Sequence, residues 1–190
     1  MKNALFGPTN MENAPFINTL FNSTKFAWLW LIVRIYLGYQ WITASLHKLS
    51  SPDWMQTGVA LKGYWAHAVA IPAAPAKPAI NYAWYRAFLQ SMLDGQSYVW
   101  FAKLIAVGEF LVGVALILGV FVGLAAFFSS LMNFNFLLAG SLSTGPVLLV
   151  LGILLMIAWK TAGYYGLNRF AFKYIGTPWK PGKWFQKKIV

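Results

Sequence analysis

The chain has 190 residues, 59% of them hydrophobic and 10% charged, with a mean hydropathy of +0.58. A soluble globular domain carries roughly 25% charged residues, so the composition speaks against a water-soluble enzyme. With no cysteine, disulfides, thiolate metal sites, iron–sulfur clusters and cysteine nucleophiles are all excluded. The net charge of +11 comes from basic residues that cluster beside hydrophobic spans and not on a solvated face, so an anionic membrane surface, not nucleic acid, is the expected partner.

In chain order, the N-terminal arm holds no continuous apolar run ending in a small-residue cleavage site, so no cleaved signal peptide is expected. The first span is expected over 26–46, where Arg34 is the only charge and aromatic residues stand at both ends. Residues 47–98 follow as an extended outer loop. Pro72, Pro75 and Pro78 break any helix there, while 79–93 has the apolar spacing of an interfacial helix. From Phe110 to Trp159 there is no charged residue. Turn signals at Gly119–Gly123 and Gly140–Pro146 divide this region into spans of 101–120, 122–140 and 146–166. The tail, 167–190, carries Arg169, Lys173, Lys180, Lys183, Lys187 and Lys188 without an acidic residue, among Trp179, Trp184 and Phe185. The positive-inside rule makes that tail cytoplasmic, and four spans put the N-terminus on the same side. The expectation is an all-α, single-domain, multi-pass protein of the cell membrane: a four-helix bundle with an extended outer loop between its first two helices.

An ion within hydrocarbon is costly, about 2.5–3.5 kcal/mol on insertion scales, and usually has a partner. Arg34 and Glu109 are the expected pair. With both spans starting flush with the membrane faces, each residue lies about 12 Å in, and their depths differ by roughly 6 Å, within reach of a guanidinium. Gln40 and Asn133 fall at a similar level, and Asn135, about 200° from Asn133 around the helix, cannot share its face. His47 and Lys48 close the outer end of the first span, Lys103 begins the second, and Arg86 stands in the loop, so these four are expected at an outward mouth. Purely structural roles stay open for all of them, as register-fixing ion pair, interhelical hydrogen bonds or snorkelling lysines.

Two histidines, one of them in the loop, leave no set for a bis-histidine haem or a structural zinc, and no glycine-rich cradle for nucleotide or flavin is present. No metal, haem or flavin is therefore expected. A membrane quinone suits the aromatic content, because an apolar slot with a few convergent polar groups is what a ring with two carbonyls requires.

Arg34 followed by GYQWITASLHKL and Asp53-Trp54 resembles the opening of DoxX/DoxD-type membrane proteins. The stretch GEFLVGVALILGVFVGLAA from Gly108 is similar to their most recognisable segment, and MNFNFLLAGSLSTGP with GYYGLNRF is similar to the DoxD branch. The likeness spans roughly residues 26–170. It implies a four-helix membrane bundle and the large subunit of a thiosulfate:quinone oxidoreductase, which couples thiosulfate to tetrathionate and passes electrons to quinone beside a small DoxA-like subunit. On that reading Glu109 and Arg34 are the catalytic pair, with Asn133, Gln40, His47, Lys48, Lys103 and Arg86 binding quinone or substrate. The alternatives are a non-catalytic DoxX-type anchor or assembly subunit for a redox partner, and a small transporter. Homo-oligomerisation is open.

Overall fold

A computed structural model describes residues 14–177 and 180–183. The described residues are almost entirely helical. Helix α1 (Pro15–Asn22) and a 3-10 turn (Thr24–Phe26) lead into α2 (Ala27–Leu49). Short helix α3 (Pro52–Met55), α4 (Val59–Val69) and α5 (Ala83–Asp94) follow within residues 47–98. Three apolar helices follow: α6 (Tyr98–Leu118), α7 (Val122–Leu138) and α8 (Gly145–Ile157). The chain ends in α9 (Trp159–Ala162), α10 (Asn168–Tyr174) and an antiparallel pairing of β1 (Gly176–Thr177) with β2 (Lys180–Pro181).

Helices α2, α6, α7 and α8 pack in a closed ring in that order. Their shared core contains Trp30, Leu37, Leu116, Val122, Ala126 and Leu155. A second cluster, with Leu61, Trp65, Ile80 and Leu89, joins α4 and α5 to the end of the ring through Ala102 and Ala139. Residues 47–98 are thus a folded cap with its own apolar contacts. The helix of 59–69 goes beyond the sequence expectation, whereas the helix expected over 79–93 is present over 83–94.

Among the described residues, one helix, Tyr98–Leu118, is both long and apolar enough to cross a membrane, and only 33% of its most apolar window is buried. Helix α2 is longer, at 23 residues, but carries Arg34 and Lys48. The apolar helices α7 and α8 have 17 and 13 residues, and α8 covers only about 20 Å at 1.5 Å per residue. The fourth span expected over 146–166 is therefore shorter than read from sequence. It stops at Ile157, and the chain turns through α9 toward Gly163 and Gly166.

That turn is tied to α2 by Arg34, which is 1% exposed. Its Nη1 donates to the Ala162 carbonyl at 3.0 Å and its Nη2 to the Tyr165 carbonyl at 3.0 Å. Carbonyls freed at a helix end carry partial negative charge, so the guanidinium is both hydrogen-bonded and electrostatically matched there. Thr161 Oγ1 adds a bond to the Phe21 carbonyl, tying the same turn to α1.

Of the basic tail, Arg169, Lys173 and Lys183 are exposed, as is Lys25 before α2. The expectations for Lys187, Lys188, Trp179, Trp184 and Phe185 lie outside the described residues.

Candidate functional site

The site begins with the crossing of α2 and α6. Gly38 and Gly113 meet backbone to backbone: a Cβ on Gly113 would stand 3.0 Å from the Gly38 carbonyl oxygen and 2.9 Å from the Ile42 nitrogen. Only glycine permits that approach. The contact sets the register of the antiparallel pair, and Glu109, one turn from Gly113, stands with Gln40, Trp41, Ala44 and Lys48 of α2. Arg34 lies beside Gly119 instead, where a side chain would overlap its guanidinium and where φ is +67°.

The expected Arg34–Glu109 pair is therefore not formed. Ten residues of α6 separate their levels, about 15 Å along the axis. The sequence arithmetic started both helices flush with the membrane faces, but they are staggered: α2 runs two turns past the end of α6. Glu109 pairs with Lys48, whose Nζ is 2.5 Å from both carboxylate oxygens, with side-chain exposures of 1% for Glu109 and 18% for Lys48. The ammonium also sits over the rings of Trp54 and Phe136, at 5.1 and 5.5 Å from their centroids. Lysine thus reaches down from the end of α2 to an acid one to two turns deeper, with aromatic faces around its charge.

This ion pair lines a chamber of about 180 Å³. Gln40 and Trp41 contribute from α2, Asn133 and Phe136 from α7, and Ser141, Ser143 and Thr144 from the turn into α8. At about 30 Å³ per water, the space suits a compact ligand of several heavy atoms. Asn133 is 4% exposed, yet its Nδ2 has no hydrogen-bond partner. A buried amide donor left unmade costs about 1–3 kcal/mol, so an unpartnered donor on a side chain that lines a polar chamber is a group that an acceptor there would satisfy.

On the other side of the α6–α7 seam lies a larger cleft of about 480 Å³. Its walls are apolar, from Phe88, Met92, Ile105 and Met132 among others, and exposed Leu104, Leu111 and Leu131 stand at its edge. Its polar groups are Tyr64, Tyr85 and Asn135. Tyr85 Oη donates to the Asn135 carbonyl at 3.0 Å, with Asn135 Oδ1 at 3.2 Å, and Tyr64 Oη donates to the Phe136 carbonyl at 3.4 Å. Burial pushes the Tyr85 hydroxyl up to about 12, with the neighbouring Tyr64 adding to it, and burial raises Tyr64 against an opposing hydrogen bond from Ser141. Phe136 lines both cavities. Gly108 and Asn135 face the cleft, while their near neighbours Glu109 and Asn133 face the chamber.

Of the residues singled out in the sequence, the structure brings together Lys48, Glu109, Gln40 and Asn133. It leaves out Arg34, and it leaves His47 and Lys103 exposed and outside the chamber lining. Arg86 is held by the cap through a bond from Nη2 to the Ile80 carbonyl, so it too is absent from the chamber. Of the four residues expected at a mouth, Lys48 alone lines the chamber, together with the hydroxyls of Ser141, Ser143 and Thr144. Those hydroxyls, Tyr64, Tyr85 and Phe136 were not legible as site residues, although the polar GSLSTGP turn between two apolar helices was the available signal. No group of three or more metal-ligating side chains occurs among the described residues.

No protein-family model, curated protein or solved structure matches the chain.

Proposed function

We propose that the chain is a DoxX/DoxD-type, multi-pass membrane oxidoreductase subunit that oxidises thiosulfate to tetrathionate and delivers the electrons to membrane quinone. The membrane part of this reading is supported by the outward faces of all four ring helices. Ile32 on α2, Leu111 on α6, Leu124 on α7 and Val147 on α8 are each more than half exposed, and aromatic neighbours such as Phe127 and Trp28 are exposed as well. An apolar belt of that extent needs a hydrocarbon surround. The shortness of α8 is met by local thinning and by the polar turns at its two ends. Exposed Lys25, Arg169 and Lys173 favour a cytoplasmic face at the end opposite the chamber, with both termini inside.

The observation that carries the chemical part is the adjacency of two unlike cavities across Phe136. The polar chamber offers an ammonium, an open amide and hydroxyls to a compact oxyanion. The apolar cleft offers a ring-sized slot edged by outward-facing leucines, with the Asn135 amide, whose Nδ2 keeps a second N–H beside its bond to the Leu131 carbonyl, to meet a carbonyl. Thiosulfate is bound at the Lys48 ammonium and oriented by Asn133. Two thiosulfates join through a new S–S bond, two electrons leave to quinone, and quinone takes up two protons. The overall reaction is two S₂O₃²⁻ plus quinone plus two H⁺ giving S₄O₆²⁻ plus quinol. Glu109, between chamber and seam, is placed to hold a proton. Arg34 serves the fold and takes no step. A small DoxA-like subunit belongs to the same proposal as partner.

A buried ion pair alone also suits a non-catalytic anchor. The unpartnered Asn133 amide and the second cavity favour a ligand-binding protein over that reading. The test is thiosulfate-dependent reduction of a short-chain quinone by the chain in lipid vesicles, beside a Lys48→Met control. Turnover that falls at least a hundredfold in the control supports the proposal. A folded protein without turnover, alone or with a co-purifying small subunit, overturns it.

A further inference from the structure

The charges of the chamber constrain what else must enter with an anion. Lys48 and Glu109 sum to zero, so a dianion arriving there meets no net positive charge. If Lys48 turned from Glu109 to the ligand, a carboxylate with 1% exposure would be left charged and alone. Isolated buried charges are not kept; the group neutralises. Among the described residues, no other cation lines the chamber. On α2, Arg34 is at the opposite end and His47 is exposed. On α3, Asp53 is exposed and of the wrong sign, and on α4, Lys62 sits over the Tyr98 ring while His67 is exposed. The hydroxyls of Tyr64 on α4 and Tyr85 on α5 are turned to α7 carbonyls, Lys103 on α6 itself is exposed, and α7 and α8 contain no titratable side chain.

We propose that the chamber takes up its dianion together with one proton, the dianion lying between the Lys48 ammonium and the Asn133 amide and the proton on the Glu109 carboxylate. Binding thereby exchanges one charge partner for another: Lys48 passes from carboxylate to ligand, and the neutral carboxyl becomes a hydrogen-bond donor to the same ligand. The inference rests on the reading of this chamber as the thiosulfate site, and it supplies a stoichiometry that reading lacks. Two thiosulfates bring two protons, the number that reduction of one quinone to quinol consumes. Glu109 sits one residue from Gly108, which lines the cleft, so the proton arrives next to the cavity where it is needed.

Calorimetric titration of the full chain in detergent tests this, with thiosulfate and with redox-inert sulfate as probes, in two buffers of different ionisation enthalpy at one pH. The expected result is uptake of one proton per dianion, with Kd weakening about tenfold for each pH unit of increase where free Glu109 is ionised. Glu109→Gln is expected to bind either anion with no proton uptake and no pH dependence. Binding without proton uptake by the unsubstituted protein overturns the inference, and so does uptake that persists in Glu109→Gln or failure of both anions to bind folded protein. The count on the unsubstituted protein decides even if the variant does not fold. Proton-linked binding by a protein that reduces no quinone would remove the redox reading and keep the coupling, whereas quinone reduction with proton-free binding would do the reverse.

Discussion

Replacing Lys48 by Met removes the charge that balances Glu109 while keeping most of the aliphatic stem between Trp54 and Phe136. Glu109 is then a carboxylate with 1% side-chain exposure and no ion-pair partner. Breaking a buried pair from one side costs about 3–5 kcal/mol, and the 18% exposure of Lys48 places this case at the lower end, about 3 kcal/mol. For a chain of this size each kcal/mol moves Tm by about 2–4 °C, so a fall of about 6–12 °C is expected. Removing both charges, as in Lys48→Met with Glu109→Gln, leaves nothing uncompensated and should restore more than half of the loss. The deficit of the single variant should also shrink as pH falls, because a protonated carboxyl has no charge to bury. Thermal unfolding in detergent, followed by tryptophan fluorescence, reads all three. A single variant within 2 °C of the parent, or a double variant as unstable as the sum of the singles, would refute the assignment of this pair as buried and coupled.

Arg34→Ala removes two charge-assisted bonds to the carbonyls of Ala162 and Tyr165, about 3–6 kcal/mol together, and should expose 163–168 to proteolysis. Arg34→Lys should recover little, because a single ammonium lacks the planar fork that reaches both carbonyls. Gly113→Ala would set a methyl 2.6 Å from Ile42 Cγ1 and 2.9 Å from the Ile42 nitrogen, so Tm should fall by the equivalent of about 1–3 kcal/mol. Tyr85 should titrate at about 12 by ultraviolet absorbance, against an ordinary 10.0. Because its folded value is raised, its stabilisation is complete below 10.0 and is lost as pH rises toward 12, so the cap should loosen over that window. Tyr85→Phe, which deletes the bond to the Asn135 carbonyl worth about 1 kcal/mol, should lower Tm by about 2–4 °C in the same unfolding assay.

The long apolar stretches were legible because a charge-free run of that length, punctuated by GVFVG and GSLSTGP, allows few divisions, and α6 and α7 begin and end within a few residues of the expected limits. The fourth helix is shorter than expected because nothing in the neighbouring residues marks Ala158 as its end; beyond that point the carbonyls of Ala162 and Tyr165 are tied to the Arg34 guanidinium on α2, a contact from far along the chain. The same long-range term hid the true partner of Glu109. Depth counted from span limits assumes flush helices, while the actual stagger is fixed by the contact of Gly38 with Gly113, two glycines that neither a four-residue spacing nor a turn signal picks out. The cap helix over 59–69 was obscured by Gly63 and by a weak apolar pattern, and only its burial of Leu61 and Trp65 against Ile80 and Leu89 makes it evident. Asn133 and Asn135 were legible as residues of opposite faces, but which cavity each would serve depends on the cap that closes the cleft.

The measurement that bears most directly on the central claim is the product ratio when the chain, in lipid vesicles with its small partner if one co-purifies, is given thiosulfate and a short-chain quinone. The account predicts one tetrathionate and one quinol for every two thiosulfates consumed. Quinol without tetrathionate, or neither product from folded protein that binds both ligands, would contradict it.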